Sequence, residues 1–284
     1  VIRTEHDEDL VARLVSVREV DGVRAGSALL TVGDRLLVVG DDAHAVTLVD
    51  PATGSVHHQA LAGDGRRLEK SRKPDYEAAF RDGDDIWLLG SGSLSNRWLG
   101  TRLPRAGEGR ASAHDLTALY AALSVALGEA PNIEGAVVVD GVLRLCHRAT
   151  GSSPDVLLDL SARVLHDGRP RVERTVTVEP AVLDGVPAHV TDLAALPDGR
   201  LAFLAAAEDT DDPVVDGPVA GAAFGVIDGE RARWTPLLGL DGTPSTLKAE
   251  GLVVDPDLRG GWAVTDRDDP GLAAQLCRLE LTGI

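Results

Sequence analysis

Apolar residues fall in short blocks along this chain, and the blocks come in pairs divided by Asp/Gly turns. Asp75-Tyr76-Glu77-Ala78-Ala79-Phe80 runs into the turn Asp82-Gly83-Asp84-Asp85 and then into Ile86-Trp87-Leu88-Leu89-Gly90. The unit has an acidic residue near the start of its first strand. It returns as Asn132-Ile133-Glu134-Gly135-Ala136-Val137 before Asp140-Gly141 and Val142-Leu143-Arg144-Leu145-Cys146. It returns again as Val190-Thr191-Asp192-Leu193 before Pro197-Asp198-Gly199, and as Lys248-Ala249-Glu250-Gly251 before a turn from Pro256 to Gly260. Gly26-Ser27-Ala28-Leu29-Leu30, followed by Gly33-Asp34, fits the same frame. Blocks bounded in this way read as strands with turn punctuation.

Aligned on the acidic slot, Ser27, Glu77, Glu134, Asp192 and Glu250 stand 50, 57, 58 and 58 residues apart. Each period has room for two further strands, such as 45–50 with 55–61 and 156–160 with 171–178. Four-stranded units at this period predict an all-β fold, a five-bladed β-propeller in a single domain over 1–284, with blade starts near 26, 75, 132, 190 and 248. The last unit ends one strand short. The strand-like segment 10–20 is therefore expected to pair with it and close the ring, removing an open sheet edge. Leu116, Leu119, Tyr120, Leu123 and Leu127 keep helical spacing and predict one short helical insert, after the third strand of the second unit. The first strands are rich in small residues (Ala28, Ala78, Ala79, Gly135, Ala136, Ala194, Gly251), as crowding about a narrow axis would require.

Charge narrows the function. Lys and Arg number 28 against 45 Asp and Glu, a net charge of −17, which opposes binding to phosphate backbones and points away from nucleic acid. The longest apolar stretch, 116–127, is too short for a membrane span. No signal-peptide pattern opens the sequence, so a cytoplasmic location is expected, although the chain contains no methionine. Two cysteines, Cys146 and Cys277, suggest neither a disulfide framework nor a zinc site.

In a propeller the starts of the first strands and the ends of the second strands share one face, around the mouth of the central channel. Ser27, Glu77, Glu134, Asp192 and Glu250 are expected to ring that mouth, with Asn132 two residues before Glu134 on the same side. The second-strand ends add Asp41, Asp42, His44, Ser91, Ser93, Asn96, Arg97, His147, Arg148, Glu208, Asp209, Asp211, Asp212, Asp266, Arg267 and Asp268. The Asp/Gly turns lie on the opposite face and read as structural. Carboxylates converging on one axis need neutralising by a metal, by cations or by retained protons. Arg72 and Lys73 precede Glu77, and Lys248 precedes Glu250. The chain's three lysines, Lys70, Lys73 and Lys248, all lie just upstream of these carboxylates. Glu77, Glu134 and Lys248 are the catalytic candidates. Ser27, Arg72, Lys73, Arg97, Asn132, His147, Arg148, Asp192 and Glu250 are the ligand-binding ones. His189 reads as a surface histidine with a possible acid/base role, and 208–216 as a solvated acidic loop. No nucleotide, serine-hydrolase or zinc-protease motif occurs.

Tyr76-Glu77-Ala78, Asn132-Ile133-Glu134-Gly135-Ala136 and Lys248-Ala249-Glu250-Gly251-Leu252 resemble the strand starts of bacterial esterase-like phytase propellers. Lys73-Pro74-Asp75-Tyr76-Glu77, Gly90-Ser91-Gly92-Ser93 and Ala207-Glu208-Asp209-Thr210 are similar to an uncharacterised bacterial propeller family. The more distant lactonase and gluconolactonase propellers hold calcium at the channel mouth. That resemblance implies Glu77, Glu134, Asn132, Asp192 and Glu250 as possible Ca2+ ligands, with no other cofactor. The expected function is hydrolysis of a small polar or anionic ester, lactone or phosphoester. The alternatives are a non-catalytic ligand- or partner-binding propeller and a five-bladed glycosidase-like enzyme. A small molecule is the expected partner, with no nucleic acid and no membrane.

Overall fold

A computed structural model describes residues 1–69, 72–104, 110–210, 217–269 and 271–284. Lys70, Asp211, Asp212 and Asp216 lie outside the described residues. The strands form antiparallel meanders. β3 (Gly26–Val32), β4 (Arg35–Gly40), β5 (Ala45–Val49) and β6 (Val56–Ala60) make one four-stranded sheet. β7 (Tyr76–Asp82), β8 (Asp85–Gly90), β9 (Leu99–Leu103) and β10 (Ser112–Asp115) make a second. β11 (Ile133–Val139), β12 (Val142–His147), β13 (Asp155–Ser161) and β14 (Val172–Val178) make a third. The rest of the chain forms one longer path. It holds the meander β16 (Val186–Ala195), β17 (Leu201–Glu208), β18 (Val219–Asp228) and β19 (Arg231–Leu238), with β15 (Ala181–Leu183) at its start. It also holds β20 (Lys248–Val254), β21 (Gly260–Asp266) and β22 (Gln275–Thr282), against which β2 (Val11–Glu19) lies antiparallel. The two runs meet in a short parallel pairing of Leu237 and Leu238 with Ala12 and Arg13. β1 (Arg3–His6) pairs parallel with β19 and covers its outer edge.

The first strands pack in a closed cycle, β3 on β7, β7 on β11, β11 on β16, β16 on β20, and β20 back on β3. Radial meanders around a shared axis are the β-propeller arrangement. Apolar clusters fill the spaces between adjacent meanders; Phe80, Trp87, Leu145, Leu158 and Leu160 sit in one of them. The helix α1 (Thr117–Leu127) buries Leu119, Tyr120 and Leu123. It lies between β9, the third strand of the second meander, and β11, as its spacing in the sequence predicts, with the short fourth strand β10 just before it. Trp98 stacks on Tyr120 with 6.2 Å between ring centroids.

The crowding expected at the axis is present. A Cβ added at Gly135 would lie 2.9 Å from the Leu193 nitrogen, and one at Gly251 would lie 2.7 Å from Ala28 C and Leu29 N. At these two points first strands approach backbone to backbone, which only glycine permits.

Each first strand also carries one β-bulge near its start. The pairing skips one residue between Gly26 and Ala28, Tyr76 and Ala78, Ile133 and Gly135, Val190 and Asp192, and Ala249 and Gly251. The skipped residues are Ser27, Glu77, Glu134, Thr191 and Glu250. A bulge re-aims one side chain out of the pleat, and here it does so five times at equivalent positions.

Candidate functional site

A polar cavity of about 160 Å³ opens at the end of the axis where the bulges lie. Bulge residues Ser27, Glu77, Glu134 and Glu250 line it, and so do Asp75, Asn132, His189 and Lys248, the residues two positions before a bulge. The second-strand ends contribute Asp41, Ser93, Arg97, Arg148, Glu208, Asp266 and Asp268, and Lys73 reaches in from the connection before β7. Among the described residues the lining thus holds eight carboxyl groups against Lys73, Arg97, Arg148 and Lys248.

The cations are engaged by carboxylates in two groups. On one side Lys73 pairs with Asp41 and lies 2.8 Å from Asp75. Arg97 Nη1 is 2.8 Å from Asp75 and donates to Ser93 Oγ at 2.6 Å. On the other side Arg148 pairs with Glu208 and stands 3.8 Å from Glu134. Lys248 Nζ is 3.0 Å from Asp268, 3.6 Å from Glu208 and 3.7 Å from Glu250. Burial works against the charge of Lys73 and Lys248, yet the surrounding carboxylates hold both ammonium groups well above the usual lysine range.

Three glutamates face one another between these groups. Burial pushes the Glu77 carboxyl well up, and the negative neighbours Asp75, Asp41 and Glu134 push it further, with only Lys73 opposing. Glu134 is also raised, first by burial, but Arg148 and Lys248 oppose the shift and Asn132 Nδ2 donates to its Oε1 at 2.9 Å. Burial raises Glu250 well above its usual range against the pull of Lys248. Asp266 is pushed up to about 6, again chiefly by burial.

The fourth bulge corrects one expectation. The residue equivalent to the glutamates is Thr191, not Asp192, and Asp192 lies outside the cavity lining. Its two oxygens accept the backbone N–H groups of Leu193 at 2.8 Å and Leu252 at 2.7 Å, so it ties β16 to β20 from outside that lining. The Thr191 hydroxyl donates to Ala249 O at 2.6 Å, and the Ser27 hydroxyl donates likewise to Tyr76 O. Both acceptors sit just before the next bulge, so hydroxyl slots fasten neighbouring first strands while glutamate slots face the cavity.

Two more candidates fall outside the lining. Arg72 is exposed. His147 is buried beneath Asn132, accepting its backbone N–H at Nδ1 over 2.9 Å, with Glu129 3.4 Å from Nε2. Sequence reasoning missed Asp75 and Asp155 and gave His189 the wrong setting. His189 is a buried strut between Asp155 Oδ1 at 2.8 Å and Gly151 O at 3.0 Å. Asp155 also accepts the backbone N–H groups of Ala149 and Val190. The spacing of Asn132 and Lys248 from their bulges was the signal that could have found Asp75.

Oxygen atoms of Asp41, Asp75 and Glu77 gather within 4.8 Å of one another, the one such carboxylate set among the described residues. Lys73 is bonded to two of the three. A calcium-like ion would need the place this ammonium takes, so the set as arranged does not fit a divalent cation.

The glutaminyl cyclase of Myxococcus xanthus is structurally similar, with a TM-score of 0.54, 11% identity and 99% and 98% of the two chains covered. The PQQ-bound aldose sugar dehydrogenase of Streptomyces coelicolor gives a TM-score of 0.51, 11% identity and coverage of 98% and 100%. At these identities the likeness is one of fold, a β-propeller. No curated protein matches the chain. Residues 22–281 match a family of unknown function, DUF6929, and the chain belongs to that family.

Proposed function

We propose that this chain is a five-bladed β-propeller hydrolase whose polar channel mouth acts on a small, polar, uncharged ester or lactone. The closed cycle of five first strands supports the blade count, with β2 as the fourth strand of the last blade. The observation that carries the chemistry is the pair Glu77 and Glu134, cavity-lining carboxyls on adjacent first strands in unlike surroundings. Glu77 sits among like charges and, among the described residues, accepts no hydrogen bond that would hold its ionised form, and so keeps its proton to higher pH. Glu134 is oriented by Asn132 and faces Arg148. Two carboxyls whose environments separate their proton affinities suit an acid/base division. Ionised Glu134 takes a proton from the attacking water as its oxygen bonds to the carbonyl carbon. Glu77 gives its proton to the alkoxide oxygen as the ester bond breaks. Lys248 and Arg148 stay charged and hold the carboxylates in place. Twice as many carboxyls as cations disfavour a phosphoester. Among the described residues the lining has no Trp, Tyr or Phe to act as a sugar platform, which disfavours a glycoside.

The test is hydrolysis of p-nitrophenyl acetate and of small lactones by the purified protein. Saturable turnover is expected, with Glu77→Gln lowering kcat by roughly 10²- to 10⁴-fold while the melting temperature holds or rises. No turnover across the panel, or a Glu77→Gln protein as fast as wild type, would leave a binding module as the better reading.

A further inference from the structure

The axis has a second opening, at the end opposite the glutamates. There the far halves of all five first strands enclose a recess of about 310 Å³, walled by Leu30, Phe80, Val138, Leu193, Val253 and Val254 among others. The close approaches at Gly135 and Gly251 lie between it and the polar mouth. Its volume corresponds to about ten water-sized groups, at ~30 Å³ each, and most residues that line it are aliphatic, their side chains sharing the wall with backbone polar groups, Thr31 and Arg81. Such a concavity with a few polar groups at its rim is the usual form of a small-molecule site.

The rim is set by topology, because the five turns that join first to second strands surround this opening. Each turn carries an exposed aspartate: Asp34, Asp84, Asp140, Asp198 and Asp257. Asp198 is neutralised by Arg200 at 2.6 Å. Among the described residues the other four form no ion pair. The remaining cations of these turns are the exposed Arg35 and Arg259 and the half-buried Arg81, which lines the recess itself but whose guanidinium is engaged with Thr31 O. Asp82 and Asp85 stand beside Arg81, Asp82 bonded to His166 at 2.7 Å and Asp85 paired with Arg102 at 2.5 Å. Turn geometry explains an Asp beside a Gly at any one of these places. It does not explain an apolar well at the centre of the ring.

We infer that this recess is a second binding site, which takes an aliphatic cation with its alkyl chain in the apolar well and its ammonium group at the carboxylate rim. The inference is independent of the reaction at the other mouth. Apolar burial supplies attraction regardless of charge, and the rim selects the sign of the head group, more strongly at low salt.

Titration calorimetry with octyltrimethylammonium, octanoate and octanol tests it on the whole chain. The cation is expected to bind at one per chain and at least tenfold more tightly than octanoate, with octanol between them. Methyl NMR shifts should center on Leu30, Val138, Val253 and Val254. Asp34→Asn, Asp84→Asn, Asp140→Asn and Asp257→Asn combined should bring cation and anion within threefold, as should high salt. Equal binding of octanoate and the cation by wild type, shifts centred elsewhere, or no binding would each overturn the inference. The wild-type titrations decide it even if the fourfold variant fails to fold.

Discussion

Lys248 shows how this molecule carries so many acids at its axis. Only 9% of its side chain is exposed, and Glu208, Glu250 and Asp268 surround it. Replacing it with Met leaves buried carboxylates uncompensated, and Lys248→Met is expected to destabilise by about 3–5 kcal/mol in chemical denaturation. Adding Glu250→Gln should cost less than the sum of the single changes, because the two residues share one network. A chelator is expected to leave the melting temperature unchanged, because Lys73 is already bonded to Asp41 and Asp75 where a divalent ion would need to sit; a chelator-sensitive melt restored by calcium would reverse that expectation. Asp266 gives a pH signature. Its proton affinity is raised by burial from 3.8 in the unfolded chain to about 6 in the fold. Below about pH 3.8 the group is protonated in both states and contributes its full share of stability, which is lost as pH rises through 6. Asp266→Asn, which keeps the oxygen that accepts the Asp268 N–H, should therefore match wild type near pH 3.5. It should melt higher above pH 6, by up to ~3 kcal/mol. A gap that is constant with pH would contradict this origin.

The elements were more legible than their registers. Paired apolar blocks with Asp/Gly turns marked the first and second strands of every repeat, and the spacing of Leu119, Tyr120 and Leu123 marked α1, because both patterns follow from burying one face of a regular element. A β-bulge leaves no such mark. It inserts one residue into a two-residue alternation, and at the fourth strand the acidic residue type drew the alignment one place too far, onto Asp192. With Thr191 in the slot, His189 falls into line with Asp75, Asn132 and Lys248, a relation hidden until the register was right. Pairing of Lys73 with Asp41 joins residues from different meanders and follows from no local pattern. The structural role of Asp192 has a direct test. Asp192→Ala strips acceptors from two buried backbone N–H groups and is expected to lower stability by about 2–4 kcal/mol. Any ester hydrolysis by the folded fraction should keep its rate per molecule. A variant that melts like wild type but has lost turnover would put Asp192 back among the reacting groups.

At the scale of the whole molecule, the ring is held by β2, whose residues from Val11 to Glu19 pair along β22. Removing residues 1–20 would expose that edge and part of the cluster containing Leu10, Ala12, Leu14, Cys277 and Leu279. The truncated chain is expected to be insoluble or molten by near-UV circular dichroism, and a monomeric truncate with a native melt would mean the ring closes without it. The same pairing sets an order of events during synthesis. Of the strands of this fold, β2 is made before all but β1, and β22 after all the others. Until then β2 lacks its antiparallel partner and has only the short parallel pairing on β19 and the apolar contacts behind it, and each meander can fold while the circle stays open. Both pairings of β2, on β19 and on β22, join residues far apart along the chain, so the entropic cost of closing the circle falls late in folding. Crowded nascent chains could meanwhile offer one another the strand that each still lacks.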